Sequence, residues 1–302
     1  MSAGSDKAQA GEAKGAQKEP GDAATTGYDD PPMTLWEHLG ELRKRLVYCL
    51  LAIAAGCALA WNFREQLMTF LVEPFATAWR VENIAEEVTL HFATPGAAFI
   101  AYLKLALLGG MALASPMIFY QLWSFVAPGL YSREKRYVIP FVISSSALFV
   151  GGGYFGWRAA FPIAFRYLLG LSGNLGAQDI AIVPTVMMGD YITFVTRMLF
   201  AFGLIFEIPL LVFFLSIAKV INYLHLIHYG RWFVLCAFLV AAVFTPPDIA
   251  SQLLMAVPMI LLYGVSILLS LVFGPKPSQA QREAYARRKQ RKRERREREK
   301  RG

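Results

Sequence analysis

Apolar residues in this sequence come in runs long enough to cross a bilayer, and charged residues gather in the connectors between them. After Pro31 and Pro32, the residues Leu35, Leu39, Leu42 and Leu46 recur at three-to-four spacing beside Glu37, Glu41, Arg43, Lys44 and Arg45. That is the pattern of an amphipathic helix lying at an interface. It runs into a first span over 47–63, seventeen uncharged residues, short for a hydrocarbon core of about 30 Å. A second span opens at Thr94-Pro95, an N-cap followed by proline at the first helical position, and continues through 99–122 with Lys104 near its start, placed to snorkel to the headgroups. Spans three and four are predicted over 139–155 and 191–218. The fourth carries Arg197, Glu207 and Pro209, and the proline predicts a kink with a freed backbone carbonyl. The last two, 232–245 and 250–273, are joined by Pro246-Pro247-Asp248. Fourteen residues in the fifth reach only about 21 Å, which predicts local thinning of the bilayer or snorkelling of the flanking groups.

The connectors set the orientation. Basic residues crowd into Arg43/Lys44/Arg45, Arg133/Lys135/Arg136, Lys219/Arg231 and the carboxy-terminal tail, and with six spans all four groups fall on one side. By the positive-inside rule that side is cytoplasmic. The connector 64–98, with five Glu against two Arg, then faces the other side and is long enough to hold a short helix. The connector 161–189, with Pro162, Gly173, Gly176, Asp179 and Pro184, reads as a loop, and 219–231, with His225 and His228, reads as a third basic connector. The pattern is that of an all-α membrane protein with six transmembrane helices and both termini cytoplasmic.

Composition agrees: 56% hydrophobic and 17% charged residues, with a mean hydropathy of +0.41, are outside the range of an ordinary soluble domain. The net charge of +8 belongs to the tail, because 276–301 alone hold thirteen Lys/Arg against four Glu and everything upstream sums to about −1. Three domains follow: a disordered cytoplasmic leader 1–32, without the basic start and apolar core of a secretory signal, a membrane domain 33–274, and a basic cytoplasmic tail 275–302. Cys49, Cys57 and Cys236 all fall in apolar stretches, so neither a disulfide framework nor a metal site is expected, and no cofactor is called for.

Four stretches carry a resemblance. HLGELRKRL, YQLWSFVAPGLYSREKR, FGLIFEIP and TPPDIASQ, in this order and in register with six spans, are similar to the segments that mark the TatC family of the twin-arginine protein translocase. The likeness covers about 34–273, and the leader and basic tail depart from the family pattern. The resemblance implies a cup-like bundle in the bacterial cytoplasmic membrane. It implies a non-enzymatic receptor and scaffold that recognises twin-arginine signal peptides of folded substrate proteins, driven by the proton-motive force. The partners it implies are small single-span TatA- and TatB-type subunits, further copies of the chain, and the lipid bilayer; the charge of the tail, apart from the resemblance, predicts a contact with anionic lipid.

Recognising a guanidinium calls for a carboxylate able to accept a bidentate pair, and adjacent arginines on an extended peptide point opposite ways, so two carboxylates are wanted. Glu41 and Glu134 occupy matching positions on the expected cytoplasmic face, with Arg43 to orient Glu41. The alternative reading of each is a solvated charge paired with its neighbours, Glu41 with Arg45 and Glu134 with Arg133 or Arg136, and Arg43 serves equally as a positive-inside anchor. Glu207 in mid-span costs on the order of 2.5–3.5 kcal/mol on insertion scales and marks a functional position; the resemblance implies that it belongs to a polar patch that meets a partner or the transported chain, and the alternative is a buried structural carboxyl. The resemblance puts partner docking at the fifth span with Thr245 at its end; Asp248 and Gln252 follow in the turn, where Asp248 alternatively caps the last helix. A second functional class, a small-solute or proton transporter working through Glu207, Arg197 and Lys104, should show matching broken helices in two halves, and the sequence shows no such repeat.

Overall fold

The computed structural model describes residues 35–82, 84, 87–126, 138–175, 180–182 and 184–277, with eight further tail positions (279, 282, 283, 287, 290, 294, 297 and 299). The leader 1–32, Glu134 and most of the tail lie outside the described residues. Among the described residues are nine α-helices and one small hairpin: α1 Leu35–Asn62, α2 Arg64–Val81, α3 Pro95–Val126, α4 Val138–Phe155, α5 Phe161–Leu169, α6 Met188–Phe206, α7 Ile208–Ile217, α8 Tyr223–Phe244 and α9 Ile249–Phe273, with strands β1 Gly173–Leu175 and β2 Ile180–Ile182 paired antiparallel. Six stretches are long and apolar enough to cross a membrane: 36–62, 95–125, 138–169, 188–217, 223–244 and 249–273. Large apolar side chains on their outer faces are open, Leu50, Leu51, Leu59, Leu261 and Val272 among them, as a lipid-facing surface requires.

Several boundaries differ from the sequence reading. The amphipathic segment and first span are one rod, α1, of 28 residues, because no proline or cap interrupts it. The third span continues past residue 155 through a π-helical turn, Gly156–Ala160, into α5, so the first part of 161–189 is helix; the hairpin occupies the middle of what remains. The fourth span breaks at Glu207, with Pro209 in the first turn of α7, the kink the proline predicts. The expected fourteen-residue fifth span is corrected to 22 residues, α8. Asn222 is the cause: its side-chain oxygen accepts from the amides of Leu224 and His225, both at 3.1 Å, and starts the helix nine residues before the apolar run. At 1.5 Å per residue α8 is about 33 Å long, so helix length gives no reason for the bilayer to thin there. The third basic connector shrinks to Ala218–Asn222. Lys219 takes a positive φ of 59°, and the amides of Lys219 and Val220 close on the carbonyls of Ser216 and Leu215 at 3.1 and 3.0 Å, a Schellman stop to α7.

α6 is the central element. Ile192, Val195, Met198 and Phe202 on it are fully enclosed, and it packs against α3, α4, α8 and α9. α1 lies along α3, and the contact is close because glycines face each other: a Cβ on Gly110 would stand 2.6 Å from the Cys57 amide nitrogen. Without a hydrophobic drive inside lipid, such backbone proximity is what holds helices together. α2, the helix expected within the acidic connector, packs on α5. Its Pro74 leaves the Phe70 carbonyl without an intrahelical donor, and the Trp157 indole N–H supplies one at 2.8 Å. In α3, Pro116 frees the Ala112 carbonyl in the same way, and the Ser115 hydroxyl donates to it at 2.8 Å.

Candidate functional site

Two polar clusters share the carboxy end of α3. Gln121 and Trp123 are two residues apart, about 200° around the helix, so they face opposite sides. Gln121 turns towards α1, where the Arg45 guanidinium donates to its side-chain oxygen at 3.2 Å. The same guanidinium donates through Nε at 3.0 Å and Nη2 at 2.5 Å to Oε1 of Glu41. One turn before Glu41, His38 stacks on Phe125 of α3 at 4.4 Å. Glu41 therefore stands in a fixed setting between two helices. Its Oε1 is used, and its Oε2 is enclosed with no protein donor. Arg43 points away from this contact and is exposed. Glu134 lies outside the described residues.

On the other face of α3, the Trp123 indole N–H donates to the Ser145 hydroxyl of α4 at 2.9 Å, and Ser145 is hydrogen-bonded to the Glu207 carboxyl. The chain Trp123–Ser145–Glu207 thus ties α3, α4 and the α6–α7 break together. Glu207 is ten residues from the end of its span at Ile217, about 15 Å at helical rise, which is half a hydrocarbon core of about 30 Å. Its Oε1 is enclosed and has no protein partner. The Glu207 amide still reaches the Leu204 carbonyl at 3.1 Å, so the break is a tight turn.

The turn between α8 and α9 is built from the predicted residues. The Thr245 hydroxyl donates to the Ala241 carbonyl at 2.9 Å, Asp248 caps α9 by accepting from the Ser251 amide at 2.7 Å, and the Gln252 side chain donates to the Phe238 carbonyl at 3.0 Å, fastening α9 back onto α8. Asp248 is therefore a cap, as Pro-Pro-Asp before an apolar run suggests, and its Oδ2 is enclosed without a partner.

The residues that a transporter reading would use do not form one group. The Lys104 ammonium donates to the Thr193 hydroxyl of α6 at 2.7 Å. Arg197 is exposed one turn further along α6, and Glu207 is fourteen residues beyond Thr193, about 21 Å at helical rise. Residues that sequence reasoning passed over are Gln121, Trp123 and Ser145. A glutamine and a serine run, Ser144-Ser145-Ser146, inside otherwise apolar stretches are the signal that pointed to them. Among the described residues no cluster of His, Cys, Asp and Glu has the makings of a metal site.

Comparison with known proteins places this arrangement. The family model described as Sec-independent protein translocase protein (TatC) matches residues 37–258. Among named relatives, the Sec-independent protein translocase protein TatC of Desulforapulum autotrophicum is 39% identical over 248 residues, 82% of this chain and 88% of that one. The one from Carboxydothermus hydrogenoformans is 37% identical over 256 residues, 84% of this chain and all of that protein. A crystal structure of the twin arginine translocase receptor TatC superposes with a TM-score of 0.67 at 35% identity, covering 77% of this chain and 97% of the other. A second one, in the detergent DDM, gives 0.68 at 36% identity, with 77% and 99% covered.

Proposed function

The chain belongs to the TatC family of Sec-independent protein translocase subunits, and we propose that it reads the paired arginines of signal peptides at the α1–α3 contact while serving as the core scaffold of the twin-arginine translocase. It is a multi-pass protein of the bacterial inner membrane, in a family of translocase components and not of enzymes. The observation that carries the reading is the state of Glu41. One carboxylate oxygen already accepts two N–H groups from a guanidinium, that of Arg45, and the other is enclosed with no donor. The resident arginine demonstrates the geometry in which a guanidinium is bound here, and the orphan oxygen is an acceptor that an incoming guanidinium satisfies. A lysine ammonium offers a point charge without the planar fork, so Arg-Arg is preferred to Lys-Lys. Glu134, in the following connector, supplies the carboxylate for the second arginine, and Arg43 on the exposed side of α1 orients the approach.

Glu207 and the α8–α9 turn take a different role in this proposal. Both present an enclosed carboxylate oxygen lacking a donor, one at mid-membrane and one at a helix junction, where the single-span TatA- and TatB-type partners dock and bring the donor. Export of folded proteins is driven by the proton-motive force.

The test is site-specific photo-crosslinking from positions 41 and 134, in membranes, to a precursor bearing Arg-Arg or Lys-Lys in its signal. Crosslinks with Arg-Arg that vanish with Lys-Lys support the reading. If the variant Glu41→Ala/Glu134→Ala inserts normally and still captures the Arg-Arg precursor, the site assignment is wrong.

A further inference from the structure

The groove between α2 and the α4–α5 helix carries chemistry that signal-peptide recognition leaves unused. Its outer half is a cavity of about 220 Å3 bounded by Glu73 and Thr77 of α2 and, opposite them, by Trp157, Arg158, Pro162 and Arg166. Arg158 and Arg166 are eight residues apart, on one side of the groove and exposed. Among the described residues neither forms an ion pair. The inner half is a second cavity of about 230 Å3 with an apolar lining, from Leu67 and Phe70 through Leu105 to Phe149 and Leu199.

Trp157 belongs to both cavities and marks the division between them. Its ring stacks on Phe70 at 4.2 Å and 14°, and its N–H is held by the Phe70 carbonyl that Pro74 leaves free. A tryptophan anchored in this way is the usual marker of a membrane interface. It falls inside the π-helical turn Gly156–Ala160, a local widening found mostly where a helix serves a function.

The order along the groove is thus two unpaired guanidiniums, an interfacial tryptophan, and a slot walled by hydrocarbon. Arginine forks match phosphate oxygens, and the slot below accepts what a headgroup carries below it. We propose that this groove binds one phospholipid, with its phosphodiester between Arg158 and Arg166, a headgroup hydroxyl donating to Glu73, and an acyl chain in the slot beneath Trp157. Two guanidiniums against one carboxylate favour an anionic headgroup. Phosphatidylglycerol therefore fits, and phosphatidylcholine, whose quaternary ammonium has no hydrogen for Glu73, fits less well.

Native mass spectrometry of the full chain in detergent, titrated with each lipid, tests this. The expected result is one phosphatidylglycerol held at least tenfold more tightly than phosphatidylcholine. Arg158→Gln/Arg166→Gln should bring the first down to the level of the second, whereas the charge-matched tail variant Arg282→Gln/Arg287→Gln should keep the tight lipid. Gly153 lines the slot and a Cβ added there would come no closer than 3.8 Å to another atom, so Gly153→Leu should put its side chain into the slot and loosen the same lipid while leaving the arginines in place. Unchanged phosphatidylglycerol binding in either groove variant overturns the proposal. Displacement of the lipid by an equal concentration of glycerol 3-phosphate overturns it too, by showing a site for soluble phosphate esters.

Discussion

Gly110 of α3 has no room for even a methyl group. A Cβ there would stand 2.6 Å from the Cys57 amide nitrogen, 2.6 Å from its sulfur and 2.8 Å from its Cα, against the roughly 3.5 Å or more of an ordinary non-bonded contact. Two of those three atoms are backbone, so turning the Cys57 side chain relieves nothing. α1 has to retreat from α3 by roughly 0.7–0.9 Å along this line, and overpacking of this kind costs about 1–3 kcal/mol. Gly110→Ala should therefore shift the folding equilibrium about 5- to 150-fold towards the unfolded side, read as the fraction folded of the purified chain during SDS titration in mixed micelles. Two companion variants isolate the cause. Gly151→Ala makes the same chemical change where nothing lies within 4 Å and should be neutral or slightly stabilising, since alanine is the better helix former. Cys57→Ala removes the sulfur but neither backbone atom, so Gly110→Ala/Cys57→Ala should stay as unstable as Gly110→Ala. A Gly110→Ala protein as stable as the parent, or one restored by Cys57→Ala, refutes the argument that backbone contact seats α1.

Two further outcomes follow from single hydrogen bonds. Asp248→Ala removes the cap that the Ser251 amide uses and should cost about 1 kcal/mol, with Asp248→Asn recovering most of it; equal stability of Ala and Asn variants in the same SDS titration would show the cap to be idle. Ser145→Ala leaves the buried Trp123 indole N–H without its acceptor and should cost about 1–3 kcal/mol, while adding Trp123→Phe to it should cost less than the two single changes summed; simple additivity in that double-mutant cycle would deny the coupling of α3 to α4.

Span count and order were legible in the sequence because the cost of exposing backbone to lipid forces long apolar runs, and nothing else in the chain imitates them. The helix within the acidic connector was legible from the connector's length, and the break near Pro209 and the Asp248 cap each from a residue with a strict local meaning. What hydropathy could not locate were boundaries set by hydrogen bonds. α8 starts at Tyr223 because Asn222 caps it, and a polar first third containing His225, His228 and Arg231 hides that start from any apolar count. The π-helical turn at Trp157 has no apolar signature either. In the candidate site, Glu41, its partner Arg45 and Glu207 stood out by type and spacing, but the cross-helix contacts did not: Gln121 of α3 takes the Arg45 guanidinium and Ser145 of α4 takes the Trp123 indole, and spacing along one chain segment carries no information about such contacts. The Thr193 partner of Lys104 was hidden for the same reason, since it is 89 residues away in sequence.

Several polar side chains in these spans are spent on backbone carbonyls, some of them freed by a proline, or on each other. Trp157 serves Phe70, Ser115 serves Ala112, Tyr263 donates to the Leu226 carbonyl at 2.7 Å, and Gln252 serves Phe238. In a medium without water this economy is what stability demands. The enclosed atoms left without a protein partner, among the described residues, are of two kinds: donors or hydroxyls, on Trp79, Ser216, Ser251 and Ser270, and carboxylate oxygens, on Glu41, Glu207 and Asp248. The difference matters because a serine hydroxyl rotates to find an acceptor, for instance a carbonyl one turn back in its own helix, whereas a carboxyl oxygen that carries no proton only accepts. An orphaned acceptor costs about 1–3 kcal/mol, more when charged, so each of these three oxygens is costly unless water or another molecule donates to it. All three lie in the stretches that carry the family resemblance. On the function proposed above, a guanidinium at Glu41 and polar groups of partner helices at Glu207 and Asp248 would be donors of the required kind, and substrate binding and assembly should then both tighten this protein and not merely occupy it.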